Sequence, residues 1–152
     1  MAEQLEPLSA SAAQALAERV AAAMFAHDRA SQMMGMHIVK VGPGRAELVM
    51  TVRADMLNGH ATCHGGFIFT LADSAFAFAC NSNNHTTVAS GAGIDFIAPA
   101  REGDVLTAVA EERSASGRTG VYDIAVRNQR GEAVALFRGK SHRIKGTVIT
   151  EP

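Results

Sequence analysis

One carboxylate stands alone in the most apolar stretch of this chain. Asp73 lies inside Phe67-Ile-Phe-Thr-Leu-Ala-Asp-Ser-Ala-Phe-Ala-Phe-Ala-Cys80, just after the polar loop Asn58-Gly-His-Ala-Thr-Cys-His-Gly-Gly66. A helix so apolar is expected to be buried on all sides. An ionised Asp inside it is costly unless something compensates. Leu71, Ala72, Ala75 and Phe76 offer it no ionic partner. Asp73 therefore reads as a general base or nucleophile, its pKa lifted by apolar neighbours. The plainer alternative is an Asp hydrogen-bonded to a backbone or hydroxyl group, with no chemistry.

Gly65 and Gly66 open the same helix. N–H groups of a first helical turn lack intrahelical acceptors and sit at the positive end of the dipole. They can hold a developing oxyanion, and glycine lets a carbonyl approach closely. Glycines are also ordinary at loop-to-helix junctions. Gly65 and Asp73 are eight positions apart, roughly 12 Å of helix rise. One helix cannot easily bring both to one reacting atom. If both act together, Asp73 comes from one subunit and Gly65 from its partner, which requires a dimer.

Other polar residues carry weaker signals. His60, Cys63 and His64 are types that bind zinc, but a catalytic site wants three well-placed protein ligands and no second cluster appears, so no metal is expected. His64 reads instead as a hydrogen-bonding or loop-stabilising residue. Asn58 either orients water or a carbonyl, or simply forms the turn before Gly59. Arg138 and Lys140 share one strand face and could meet phosphates of a large ligand, or could only protect an edge strand with charge.

The elements that must position these residues follow from periodicity. Ser9 to His27 reads as an amphipathic helix capped by Ser9 or Ser11. Met36–Lys40 and Ala46–Val52 read as strands around the turn 41–44, and residues 53–64 as a loop. The apolar helix spans about 65–82 and stops at the Asn81-Ser-Asn-Asn84 run. Strands are expected at Val88–Ile97, Val105–Arg113, Thr119–Arg127 and Ala133–Ile144, with a mobile tail after them. Short turns between consecutive strands make the sheet antiparallel. The expected class is α+β: an antiparallel sheet wrapped around a long central helix, with an N-terminal helix in residues 1–29, a main domain over 30–146 and a tail at 147–152. Such a sheet leaves the helix partly uncovered, and a second subunit would complete its burial.

Bulk properties narrow the function. The 152 residues suit one domain. With 14 basic against 15 acidic residues, nothing draws the chain broadly to nucleic acid or anionic lipid. No apolar run spans a bilayer, no signal peptide is evident, and two cysteines make no disulfide framework, so a cytoplasmic home is expected. Asn84-His-Thr86 matches a glycosylation sequon, read as incidental.

The loop Asn58–Gly66, Leu71-Ala-Asp73, Ala77-Phe-Ala-Cys-Asn81, Gly120-Val-Tyr-Asp123 and Ala135–Ile144 together resemble the hotdog-fold acyl-CoA thioesterases, in particular those of phenylacetic acid degradation. The resemblance covers roughly residues 30–150. It implies hydrolysis of (hydroxy)phenylacetyl-CoA-type thioesters to the free acid and CoA, without a cofactor. By resemblance Asp73 is the catalytic carboxylate, and Gly65 gives its N–H to the thioester oxygen from the other subunit. Asn58 and His64 support substrate or water, and Gly66, Ser90, Gly91, Arg138 and Lys140 contact substrate or CoA. Homodimers are expected to pair into homotetramers. Asp73 either attacks the carbonyl, giving a mixed anhydride, or deprotonates a water. Two rivals are an enoyl-CoA hydratase or dehydratase, which normally wants a His that this helix lacks, and a non-catalytic acyl-CoA binding module. A purely structural oligomer is disfavoured by the buried acid. The apolar walls, expected from Val88–Ile97 and the N-terminal helix, leave the acyl group open.

Overall fold

The structure is a computed structural model that describes residues 7–150. Helix α1 (Ala10–His27) starts where Ser9 accepts the Ala12 N–H at 3.2 Å, and it buries the stripe Leu16, Ala17, Val20 and Ala21. A short helix α2 (Arg29–Met33) follows, which periodicity did not anticipate because one turn is too short to show a period. Asp28 caps it through the Ser31 N–H, and the Ser31 hydroxyl shares a buried 2.9 Å hydrogen bond with Ser74.

Strands β1 (His37–Gly42) and β2 (Arg45–Thr51) form a hairpin that turns through Gly44 at φ +68°. The loop 53–64 contains a single 3-10 turn, Ala54–Met56, and leads into α3 (Gly65–Cys80), which Asn81 terminates. Then come β3 (His85–Phe96), β4 (Val105–Ser116), β5 (Thr119–Arg127) and β6 (Ala133–Thr147). The six strands form one sheet in the order β1-β2-β4-β5-β6-β3, every neighbouring pair antiparallel.

Alternate residues of the middle strands point at α3: Leu48 and Met50, Leu106 and Ala108, Ile124 and Val126, Ala135 and Phe137, all buried. Packing is so close that a Cβ on Gly139 would meet the Phe76 ring at 2.9 Å. The helix is nonetheless not buried on all sides. The curved sheet covers the faces bearing Ile68, Leu71, Ala72, Ala75, Phe76 and Ala79, whereas Gly66, Thr70, Asp73 and Ala77 keep solvent access. Those four lie at helical spacing and form one open stripe, with the acid in it.

The tail also differs from expectation. β6 runs on to Thr147, and Ile149 exchanges two hydrogen bonds with the Asn84 side chain, at 2.9 and 3.0 Å. The sequon Asn is thus buried and occupied. Residues 1–6 and 151–152 of the two expected terminal segments lie outside the described residues. Among the described residues, no helix is long and apolar enough to cross a membrane.

Candidate active site

The start of α3 is fixed by its cap. His64 precedes the helix in extended conformation, and its Nδ1 accepts the Gly66 N–H at 2.9 Å. An accepting Nδ1 leaves the ring proton on Nε2. It also means the Gly66 donor, expected to face a substrate, is already used. Gly65 differs: its N–H has no acceptor among the described residues. The approach to it is held rigid, because Cys63 N–H donates to Ala100 O and His64 N–H to Met56 O, both at 2.8 Å. Asn58 acts on the same loop. Its Oδ1 accepts from the His60 N–H at 2.9 Å and the Thr62 N–H at 3.3 Å, which shapes the turn that puts Ala61 at φ +58°. The turn-forming reading of Asn58 is therefore seen directly. Asn58 and Gly65 line a hollow of about 430 Å³ with Phe96, Ile97 and Pro99. The Phe96 ring lies over Gly65, since a Cβ there would come within 2.8 Å of Cζ.

Asp73 opens into a different hollow, of about 520 Å³, whose walls include Met24, Phe76, Cys80, Thr87, Val88 and Val148. Burial pushes its carboxyl above the usual range, with no hydrogen bond or cation among the described residues to offset it. Cys80, beside it, is pushed up to about 12, chiefly by burial, and stays a thiol at neutral pH. It is no competing nucleophile. Asn81 ties this end of the helix to the sheet: its amide donates to Ala77 O and Thr87 O and accepts from Thr87 N–H, each at 2.9 Å. β3 begins three residues earlier than Val88, where His85 pairs with Thr147 and Thr87 with Arg143 of β6.

Within one protomer, then, Gly65 and Asp73 serve separate hollows. The remaining expected contacts lie elsewhere. Ser90 is the extra residue of a β-bulge in β3 and donates to Lys140 O at 3.2 Å, while Gly91 pairs with Lys140. A bulge re-aims the side chain it carries. Arg138 and Lys140 alternate with Phe137 and Gly139 and so face away from α3. Arg138 clamps Asp123 at 2.7 and 2.9 Å, and that guanidinium holds the Asp123 carboxyl below the usual range. Arg138 and Asp123, but not Lys140, line a larger hollow of about 770 Å³ in which Asp73 has no part. Among the described residues, no three His, Cys, Asp or Glu side chains gather as a metal site. Phe96 lies in the Val88–Ile97 segment expected to wall the pocket; Val148 escaped the sequence reading, which took residues 147–152 as a tail.

Comparison with known proteins gives this geometry a family. Residues 60–135 match the Thioesterase superfamily. The chain is 52% identical over 129 residues to acyl-coenzyme A thioesterase PaaI of Escherichia coli K12, spanning 85% of this chain and 92% of that one. Its structure is similar to that of the E. coli PaaI protein from the phenylacetic acid degradation operon, with a TM-score of 0.87 and 51% identity, over 88% of this chain and 97% of that one. It is also similar to a hypothetical thioesterase from Streptococcus pneumoniae TIGR4 solved with coenzyme A, with a TM-score of 0.70 and 26% identity, over 74% and 87% of the two chains. A curved antiparallel sheet folded around one acid-bearing helix, in a chain with these relatives, belongs to the thioesterase superfamily: the protein is a thioester hydrolase of the hotdog fold.

Proposed function

We propose that this chain hydrolyses acyl-CoA thioesters of the (hydroxy)phenylacetyl type, with Asp73 as general base and Gly65 of the partner subunit as oxyanion donor. The observation that carries the reading is the unpartnered Asp73 carboxylate on the open stripe of α3, facing an apolar hollow. The names of the E. coli relative and of the CoA-bound neighbour supply the substrate class.

Two protomers are needed because Gly65 and Asp73 face different hollows. Strand β3 supports the pairing. It is a twelve-residue edge strand, and it carries the exposed apolar side chains Val88 and Phe96. Joining two such edges makes one continuous sheet and sets the helices side by side. Such dimers then pair into tetramers, and the buried free thiols of Cys63 and Cys80 suit a reducing cytoplasm.

In the reaction, Gly65 N–H polarises the thioester carbonyl. Asp73 takes a proton from water as the water oxygen attacks the carbonyl carbon. The tetrahedral oxyanion collapses, the C–S bond breaks, and the CoA sulfur leaves with the proton that Asp73 received. Asn58 and His64 keep the Gly65 loop in place, and the proton on His64 Nε2 is available to substrate or water. Ser90 and Gly91 contact the acyl-CoA from the bulge. To meet a CoA phosphate Arg138 would have to release Asp123, which makes Lys140 the better placed cation.

Thiol release from phenylacetyl-CoA tests the assignment. Asp73→Ala should keep the fold and lose about 10²–10⁴ in kcat, the range of general-base catalysis. Near-normal turnover would remove Asp73 from the mechanism. One turnover in ¹⁸O water separates the routes: label must enter the product acid directly, and label in Asp73 would mean an anhydride instead.

A further inference from the structure

The hollow at Asp73 is closed by parts of the chain far apart in sequence. α1 supplies Met24, α3 supplies Phe76, β3 supplies Val88, and the segment after β6 supplies Thr147 and Val148. That last segment is held by a specific device. Gly146 turns at φ +113°, a conformation L side chains rarely adopt, and redirects the chain beyond it. Asn84 then binds Ile149 as a strand neighbour would: its Oδ1 accepts the Ile149 N–H at 2.9 Å and its Nδ2 donates to Ile149 O at 3.0 Å. Asn84 is buried and sits in the left-handed region at φ +66°. Asparagine tolerates that region better than most residues.

Building on the Asp73 reading, we infer that residues 147–149 form a fixed wall of the acyl pocket, that Asn84 positions this wall, and that Val148, which lines the hollow together with Met24, selects which acyl groups reach Asp73. The chemistry of the hollow fits the acyl portion of the substrate and not its phosphates. Apart from Asp73, no lining residue is charged: Met24, Phe76, Val88 and Val148 stand beside Cys80, Asn81 and three threonines. Volume alone does not discriminate, since a cavity of about 150 Å³ already holds benzene and this one is about 520 Å³. Selection must therefore come from where the walls stand, and this wall stands where Asn84 puts it.

The test measures binding, so that it does not depend on turnover. Non-hydrolysable thioether analogues of acetyl-CoA and phenylacetyl-CoA are titrated calorimetrically into the full chain. Val148→Trp narrows the hollow and should lower the aryl-to-acetyl affinity ratio at least tenfold. Asn84→Gly keeps the left-handed turn but deletes the tether. It should change the same ratio at least fivefold and speed amide exchange at Ile149 at least tenfold. Ratios within twofold of wild type in both folded variants would overturn the wall, and so would a wild-type chain that binds neither analogue. If Asp73→Ala turns over normally while these ratios shift as expected, the catalytic reading fails and the wall stands.

Discussion

The Asp73 carboxyl resists ionising because it is half-buried beside Met24, Phe76 and Cys80, and among the described residues no cation or donor replaces the water it has lost. Its folded pKa lies above the ordinary aspartate value of 3.8. The folded state thus holds this proton more tightly than the unfolded state does. Below the ordinary value both states are protonated and the site is neutral in its effect. As pH rises from there through the folded pKa, the unfolded chain ionises first and stability falls. Asp73→Asn should therefore raise Tm at neutral pH, and the gain should vanish in acid below the usual carboxylate range. An unchanged Tm at neutral pH would show that the charge is already compensated. The apolar setting of this residue was legible because several of its neighbours in sequence are also its neighbours in space. Arg138 was not. Its partner Asp123 is set by the pairing of β5 with β6, which no local pattern reveals.

Helix α3 begins at a point where chemistry and capping can be separated. Gly65 is its first residue, and His64 before it is extended at ψ 133°. Proline is favoured at that first position and tolerates an extended predecessor. Gly65→Pro should leave the helix standing and remove the N–H, at the cost of a ring whose Cβ also meets Phe96. Gly65→Ala adds a Cβ against the exposed Phe96 ring but keeps the donor, so it isolates the steric part. Turnover should fall about 10²–10³ in the proline variant, the usual worth of one oxyanion donor, and far less in the alanine variant. Equal losses in kcat would mean that the space, not the donor, matters. The helix limits and the hairpin turns were readable from apolar spacing and from glycine and asparagine runs. The single-turn α2, the early start of β3 and the anchored tail were not. Each depends on residues that meet through the fold, such as Ser31 with Ser74, His85 with Thr147 and Asn84 with Ile149.

At the scale of the molecule, a site shared across two chains has a distinctive genetic signature. Asp73→Ala and Gly65→Pro chains are each expected to be inactive alone. Unfolded and refolded together, they form mixed pairs in which one of the two sites has both its acid and its donor. Random pairing should restore about a quarter of wild-type activity. No recovery would place both groups in one protomer. The sheet order behind this arrangement could not be read from the chain, because β3 pairs with β6 across some fifty intervening residues, as Ser90 and Lys140 illustrate. The two margins of that sheet are also unequal. β1 is short and has α1 against it, with the Gln14 amide on Val41 O at 2.8 Å. β3 is twice as long and carries no such cover. A sheet open to extension on one side only would stop growing once that side met its own copy, so the proposed pairing through β3 would close the sheet instead of propagating it as a cross-β fibre does.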